Sequence, residues 1–311
     1  MGLLRDMIRL SLAMLFFSRG VSGATFTFVN KCDFTVWPGI LGTPTLDTTG
    51  FELTKGSSQS YQAPTGWSGR FWGRTGCNFD ESGHGSCATA DCGSGQVKCN
   101  GAGATPPATL AEFTLGSGTM DFYDVSLVDG YNLPMIVEVS GGSGACAPTG
   151  CVADLNRNCP TELRAADSGA CRSACEAFGT PEYCCSGAYN SPAACTPSVY
   201  SQMFKSVCPR SYSYAYDDAT STFTCTAADY TITFCPSVSS LKSSKDSAKS
   251  TPTTDSEPGS AEATLLSNRS PSWLANLAIG DSTRKLPHCA LLLFALILTT
   301  ISISLSFLQQ V

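Results

Sequence analysis

Histidine is almost absent from this chain of 311 residues, which contains only two. His288 lies in an apolar segment near the C-terminus, so His84 is the only histidine in the central part of the sequence. Catalytic triads and Cys–His dyads need a histidine base beside the nucleophile. The scarcity of histidine excludes these mechanisms and leaves carboxylates as the available acid and base.

Positive charge is also scarce. The whole chain has 19 Lys and Arg against 25 Asp and Glu, and residues 24–236 have 10 against 19. Nucleic acids and anionic lipids bind preferentially to basic surfaces. The acidic balance therefore argues against a nucleic-acid partner and against direct lysis of anionic membranes.

Cysteine, by contrast, is abundant. Of 17 cysteines, Cys289 lies in the apolar C-terminal segment and the other sixteen lie between Cys32 and Cys235. An even number behind a secretory signal is typical of a disulfide framework, here of eight bridges. The sequence leaves the pairing open, except that the neighbours Cys184 and Cys185 are poorly placed to pair with each other.

The segment Gly83–Cys99 offers an alternative use for three of these cysteines. His84, Cys87, Cys92 and Cys99 are close enough in sequence to suggest a zinc site. Zinc would remove three thiolates from an even set and leave one cysteine unpaired in an oxidising compartment. We therefore predict disulfides here, with no metal and no cofactor, and expect His84 to be an exposed loop residue.

Both ends of the chain have a composition that differs from the centre. Residues 1–23 have the basic start, short apolar core and small residues of a signal peptide. Residues 237–285 are rich in Ser and Thr and predict a disordered stalk, which carries a sequon at Asn268. Residues 286–308 form an uncharged apolar tail, which is either a GPI-anchor signal or a retained transmembrane helix. These features place the protein at the extracellular face of the plasma membrane or in the cell wall.

Residues 24–236 are expected to form one domain that is mainly β. Short, turn-bounded segments with alternating or aromatic-rich patterns predict an antiparallel sandwich. The predicted strands are 25–29, 34–37, 69–74, 111–115, 120–128, 135–139, 221–225 and 230–234. The cysteine-dense stretch from Cys146 to Cys208 differs, because it contains helical candidates at 160–166, 168–178 and 198–207.

Four separated blocks of the sequence resemble the thaumatin family. The first is the pattern from Gly83 to Cys99 with its three cysteines, which resembles the family signature. The others are Gly69–Phe79, Asp121–Met135 and Tyr212–Cys225, and they occur in the family's order. The resemblance covers residues 24–236.

The resemblance implies a flattened antiparallel β-sandwich with two small disulfide-rich subdomains. One would be a loop subdomain at about 76–108, and the other, with short helices, at about 147–208. The implied disulfide pairs are Cys32–Cys235, Cys77–Cys87, Cys92–Cys99, Cys146–Cys225, Cys151–Cys208, Cys159–Cys171, Cys175–Cys184 and Cys185–Cys195.

The resemblance also implies a binding cleft. Plant defence members carry an arginine, a glutamate and three aspartates around a cleft that is linked to β-1,3-glucan binding and, in some members, to weak hydrolysis. The matching positions in this sequence are Arg70, Glu112, Asp124, Asp129 and Asp218. Asp91, within the signature, is expected to brace its loop instead.

Two carboxyl groups, one protonated and one ionised, are the requirement for glycoside hydrolysis. We assign Glu112 as the general acid and Asp129 or Asp124 as the base that activates water. Arg70 would hold a carboxylate in place. Tyr123 and Phe122 are predicted to offer a face on which a sugar stacks.

Three functions are compatible with these residues. The first is a monomeric, surface-anchored defence protein that binds β-1,3-glucan or another wall polysaccharide, with antifungal activity. The second is a weak endo-β-1,3-glucanase that uses the same cleft. The third is a non-enzymatic surface module whose acidic cleft binds a basic protein partner.

Overall fold

The computed structural model describes residues 23–237. The predicted signal peptide falls almost entirely outside these residues, as do the stalk, the sequon at Asn268 and the apolar tail. Within residues 23–237, none of the helices has the length and apolar character needed to cross a bilayer.

The domain is mainly β, and eleven strands are described. They are β1 (Thr25–Asn30), β2 (Trp37–Thr43), β3 (Ser58–Gln62), β4 (Ser68–Arg74), β5 (Asn78–Phe79), β6 (Gly85–Ser86), β7 (Leu110–Thr114), β8 (Asp121–Ser126), β9 (Met135–Ser143), β10 (Thr149–Cys151) and β11 (Phe223–Phe234). The described helices are short: α1 (Ala174–Phe178), α2 (Val199–Val207), α3 (Asp218–Ser221) and three single turns of 3-10 helix.

Nine of these strands form one large sheet that curls over on itself. Its main path is β10-β9-β11-β8-β7-β4-β2, and β1 pairs with both β11 and β3. The long strand β11 joins the two layers, because residues 223–225 pair with β8 while residues 230–234 lie between β9 and β1. The predicted mainly β sandwich is confirmed, and the pairing is antiparallel except between β1 and β11, which are parallel.

The core lies between the two layers and is rich in aromatic rings. In β1 the side chains alternate, so that Phe26 and Phe28 are buried and the intervening threonines face outward. The ring of Phe26 lies 4.7 Å from those of both Phe71 and Phe113. Each buried aromatic side chain contributes roughly 1.5–3 kcal/mol through removal of its apolar surface from water.

Some predicted element boundaries are wrong. Residues 34–36 precede β2 rather than belonging to it, and Val36 makes only an isolated bridge with Leu53. The side chain of Asn30 donates hydrogen bonds to the carbonyls of Phe34 and Leu53, which fixes this segment as a loop. Residues 223–225 and the segment predicted at 230–234 belong to a single strand, β11, whereas Ser221, predicted to begin a strand, is the last residue of α3.

The helical predictions are only partly correct. Segment 198–207 is confirmed as α2, with Ser198 as its N-cap. Segment 168–178 shortens to α1, because Cys171 forms bridges with Tyr131 and Arg164 and the helix begins only after Ser173. Segment 160–166 contains only one turn of 3-10 helix.

Eight disulfides cross-link the domain, and they coincide with the pairs that the family resemblance implies. They are Cys32–Cys235, Cys77–Cys87, Cys92–Cys99, Cys146–Cys225, Cys151–Cys208, Cys159–Cys171, Cys175–Cys184 and Cys185–Cys195. The bridge from Cys32 to Cys235 spans 203 residues and ties the two ends of the domain together. In the chain-entropy model a loop of this length contributes roughly 5 kcal/mol.

Candidate functional site

Three of the predicted site residues form a row across adjacent strands. Arg70 on β4 is paired in register with Glu112 on β7, and Glu112 is paired with Asp124 on β8. Directly opposed residues in an antiparallel pair have Cβ atoms about 5 Å apart, so their side chains lie together on one face. The flanking Phe71, Phe113 and Tyr123 are buried in the core, which places the row on the opposite, outer face.

Glu112 is the central member of the row and is almost fully buried, at 3% exposed. Its Oε1 atom lies 4.0 Å from Nη1 of Arg70. Burial raises the pKa of Glu112 to about 7, Arg70 lowers it in part, and the Asp129 carboxylate adds to the rise. Glu112 is therefore mostly protonated in mildly acidic solution and is able to donate a proton.

Asp124 lies deeper than Glu112, with no exposed surface. Neither of its carboxyl oxygens has a hydrogen-bond partner among residues 23–237. Burial raises its pKa well above the ordinary value, and the carboxylates of Glu112 and Asp218 add to the rise. The raised pKa favours the protonated form of Asp124, which makes it a poor general base.

Asp129 reaches the site through a turn. Strand β8 ends at Ser126, and the Gly130 N–H donates to the Leu127 carbonyl at 3.0 Å. Gly130 adopts a φ of 86°, and a Cβ there would lie 2.7 Å from the Cys171 carbonyl oxygen, so the turn requires glycine. Burial raises the pKa of Asp129 and the Arg70 guanidinium lowers it. Of the two aspartates predicted as base, Asp129 is the better suited.

Asp218 is the first residue of helix α3, and a buried tyrosine holds its side chain in place. It accepts a hydrogen bond of 2.7 Å from the hydroxyl of Tyr212, which is buried and also hydrogen-bonded to Thr222. Lys205 on α2 secures the same segment through an ion pair of 2.9 Å with Asp217 and a hydrogen bond to Ser221. Sequence reasoning missed this supporting role of Lys205, because its partners lie 12 and 16 residues further along the chain.

Tyr123 does not belong to the site, so the prediction that it offers a stacking face is wrong. The side chain is fully buried in the core, and its hydroxyl donates to the Ala147 carbonyl at 2.7 Å. Successive residues of a strand point to opposite faces, so Tyr123 faces away from Asp124. Phe122, on the same face as Asp124, is 37% exposed and remains available for a ligand.

The signature segment Gly83–Cys99 is a stapled loop. Cys87 bonds to Cys77, and Cys92 bonds to Cys99. The carboxylate of Asp91 accepts hydrogen bonds from the amides of Cys87 and Gly93, so this residue braces the loop as expected. His84 is exposed, with its Nδ1 hydrogen-bonded to Ser82. No group of metal-binding side chains occurs between residues 23 and 237.

Glu176 is a further carboxylate near the site, and sequence reasoning missed it. It lies on α1 and lines a cavity that Asp129 also lines. Burial raises its pKa to about 7, Arg172 opposes the rise, and Asp129 adds to it. The spacing Ser173-x-x-Glu176 is that of a capping box, a pattern that assigns this glutamate to a structural role. Ser173 does cap the helix, but Oε2 of Glu176 is buried with no hydrogen-bond partner within the described residues.

Comparison with known proteins gives a family match over nearly the whole described domain. The sequence matches the thaumatin family over residues 30–236. It is 68% identical over 242 residues to "Thaumatin-like protein 1" of Arabidopsis thaliana, covering 73% of this chain and 93% of that protein.

Two further relatives carry more specific names. The chain is 58% identical over 234 residues to "Pathogenesis-related thaumatin-like protein 3.5" of Cryptomeria japonica, covering 73% of this chain and 96% of that protein. It is 53% identical over 238 residues to "Glucan endo-1,3-beta-glucosidase" of Prunus avium, covering 74% of this chain and 97% of that protein.

Proposed function

The chain belongs to the thaumatin family, and we propose that it is an extracellular defence protein that binds β-1,3-glucan. The observation that carries the proposal is the in-register row of Arg70, Glu112 and Asp124 on the outer face of the sheet. Eight disulfides fit an extracellular protein, because such bonds persist in oxidising compartments. The pathogenesis-related relative supports the assignment to defence, and we propose antifungal activity as part of that role.

A neutral polysaccharide suits this row electrostatically. Arg70 is the partly exposed member, with 24% of its side chain accessible, and can donate hydrogen bonds to sugar hydroxyl groups. Glu112, when protonated, can both donate and accept. Phe122 lies two residues from Asp124 on the same face and offers an apolar surface for a sugar ring.

Weak hydrolysis is the second candidate function, and the raised pKa of Glu112 favours it. A protonated Glu112 would transfer its proton to the glycosidic oxygen as the bond from that oxygen to the anomeric carbon breaks. Asp129 would remove a proton from the water whose oxygen forms the new bond to that carbon. The relative from Prunus avium that is named as a glucanase supports this candidate.

One experiment separates binding from hydrolysis. The purified protein, Arg70→Met, Glu112→Gln and the exposed control Glu52→Gln are mixed with insoluble β-1,3-glucan below pH 7. Retention and the release of reducing ends are then measured. We expect Arg70→Met to weaken retention about tenfold, because it removes a charged donor. Glu112→Gln mimics the protonated carboxyl, so it should be retained but release no reducing ends.

The outcomes distinguish the candidates. Failure of the parent protein to bind glucan would overturn the proposal and favour the third function, a surface module for a basic protein partner. Reducing ends released equally by the parent and by Glu112→Gln would overturn the assignment of Glu112 as the acid. Parent binding without any release of reducing ends leaves a glucan-binding protein that is not a glucanase.

We further propose that residues 286–308 provide a GPI-anchor signal that holds the protein on the plasma membrane. The support is compositional: an uncharged apolar run close to the C-terminus, preceded by small residues around Asn268. Phosphatidylinositol-specific phospholipase C should then release the protein from intact cells. Retention after complete digestion would instead favour the transmembrane helix.

A further inference from the structure

A buried asparagine lies three residues after Asp129, and both polar atoms of its side chain are hydrogen-bonded. Asn132 is 7% exposed. Its Oδ1 accepts from the Thr109 N–H at 3.0 Å. Its Nδ2 donates to the Gly73 carbonyl at 2.8 Å and to the Thr89 hydroxyl at 2.9 Å. A side-chain amide has two N–H donors and one acceptor oxygen, so this amide has a partner for each of them inside the protein.

The partners of Asn132 belong to different parts of the domain. Gly73 lies in β4 and Thr109 directly precedes β7, and these strands carry the first two members of the row. Thr89 belongs to the stapled loop of the signature segment. The backbone carbonyl of Asn132 also accepts from Nδ2 of Asn156, in the helical region, at 2.9 Å. A single residue therefore connects two strands of the row, the stapled loop and the helical region.

The backbone from Asp129 to Asn132 is attached to both regions. The Asp129 carbonyl accepts from the Ala108 N–H at 2.9 Å, which holds it beside the start of β7. Tyr131 exchanges two backbone hydrogen bonds with Cys171, at 2.7 and 2.8 Å. Tyr131 thus joins the segment to the helical region, whereas the Asn132 amide joins it to β4. The position of Asp129 relative to β4 therefore depends on Asn132.

The position of Asp129 matters because charged groups from three other elements act on it. Arg70 on β4 lowers the pKa of Asp129. Asp129 in turn raises the pKa of Glu112 on β7 and that of Glu176 on α1. Interactions between charges weaken as their separation grows. A displacement of Asp129 therefore changes the protonation of its neighbours.

We propose that Asn132 is a positioning residue, which fixes Asp129 relative to the row and makes the stapled loop part of that support through Thr89. The hydroxyl of Thr89 is also hydrogen-bonded to that of Thr75, directly after β4, at 2.7 Å. Such support matters because a displacement of about 1 Å is enough to weaken a functional site. The inference rests on the proposed function only for the identity of the ligand, and it gives the signature segment a role in the site.

The test measures the pKa of Glu112, which the sheet keeps buried whether or not Asp129 moves. The carboxyl groups of isotope-labelled protein are titrated by NMR in the parent, Asn132→Leu, Asp129→Asn and the double variant. We expect Asn132→Leu to lower the pKa of Glu112, because Asp129 then lies further away on average, and Asp129→Asn to lower it more. The fall caused by Asn132→Leu should vanish in the Asp129→Asn background, because the two changes act through the same carboxylate.

Asn30 provides the matched control, on β1 in the layer that does not carry the row. It is fully buried, its Nδ2 donates to the carbonyls of Phe34 and Leu53, and its Oδ1 accepts from the Cys32 N–H at 2.9 Å. Asn30→Leu therefore removes a comparable set of buried hydrogen bonds. It should leave the pKa of Glu112 unchanged.

A milder pair of variants keeps the test decisive if Asn132→Leu does not fold. Thr89→Val removes one of the three hydrogen bonds of the amide at nearly constant volume, so it should lower the pKa of Glu112 by a smaller amount. Thr89→Ser keeps the hydroxyl and should match the parent. Thermal unfolding of each variant verifies that it is folded.

Three results would overturn the inference. The first is an unchanged pKa of Glu112 in folded Asn132→Leu, or in Thr89→Val where Asn132→Leu does not fold. The second is an equal fall in Asn30→Leu, which would indicate a general loosening of the domain. The third is a fall that persists in the Asp129→Asn background, because the effect then does not run through Asp129. A parent protein that binds no glucan would overturn the proposed function, while the titration would still decide the role of Asn132.

Discussion

The sandwich and the helical, cysteine-rich region build the two sides of the candidate site by different means. In the sandwich, strand register aligns Arg70, Glu112 and Asp124, and a core of packed aromatic rings lies beneath them. The helical region has a smaller core and depends on disulfides, four of which have both cysteines between residues 151 and 208. The helices themselves are too short to be stable alone.

This difference predicts how the sandwich and the helical region each respond to substitutions. A row set by strand register is as rigid as the sheet, so losing it requires unfolding a large cooperative unit. A wall set by short disulfide loops can open locally while the sheet stays folded. Substitutions should therefore act globally in the sandwich and locally in the helical region.

The largest expected effect is the loss of a core ring. The ring of Phe113 lies 4.7 Å from that of Phe26 and 5.0 Å from that of Tyr230. Phe113→Ala should lower the free energy of unfolding by about 3–5 kcal/mol, because it removes buried surface and leaves a void. Guanidinium denaturation measures this. The exposed counterpart Phe178→Ala should cost much less, and equal costs would contradict the contrast between the two regions.

The next effect concerns a short disulfide loop. Replacing Cys175 and Cys184 together by alanine should destabilise the helical region by about 2–3 kcal/mol in the chain-entropy model. Hydrogen exchange should then show faster exchange of the α1 amides. The amides of β1 and β11 serve as the internal reference and should keep their rates. Uniform acceleration would mean that the two regions unfold as one unit.

The smallest effect is a dependence of stability on pH. The ordinary pKa of glutamate is 4.5 and that of folded Glu112 is about 7, so the folded state binds more protons than the unfolded state between these values. The free energy of unfolding should fall as pH rises through this window. Glu112→Gln should remove roughly 1–3 kcal/mol of that fall.

Glu176 provides the matched comparison from the helical region. Its pKa is also raised to about 7 by burial, but its side chain is only partly buried and is better screened by water. Glu176→Gln should flatten the pH profile less than Glu112→Gln, and the exposed control Glu52→Gln should leave it unchanged. Thermal melts at several pH values between 4.5 and 7 measure all three. If Glu176→Gln flattened the pH profile more than Glu112→Gln, the assignment of Glu112 as the more deeply buried carboxyl group would be wrong.

Much of the fold could be predicted because its signals are local. Alternation in Thr25–Asn30 and in the second half of β11 identified strands that bury one face. The boundaries were wrong where a side chain bonded to backbone carbonyls, as Asn30 does to Leu53, or where isolated backbone β-bridges kept the chain extended, as at Cys171 with Tyr131. These partners are 23 and 40 residues apart in sequence, so no local pattern indicates them.

The site was less predictable than the fold. Tyr123 and Asp124 are neighbours in sequence, but the pleat sends one into the core and the other to the outer face. Which of these two side chains faces outward depends on which face of the sheet packs against the second layer. Glu176 and Lys205 were missed because their contacts to the site run through α1, α2 and the loop that carries Asp218.

The sequence by itself indicated the compartment and the candidate chemistry. An even set of sixteen cysteines indicated an oxidised extracellular domain, and a single central histidine left carboxylates as the candidate acid and base. Tertiary structure alone decided which of these carboxyl groups are buried and lie close together. Burial and neighbouring charges set the pKa of each carboxyl group, and both depend on the folded chain. The pairing of β4, β7 and β8 aligns Arg70, Glu112 and Asp124. The turn at Gly130 places Asp129 near Arg70, and α1 places Glu176 on the wall of the same cavity as Asp129.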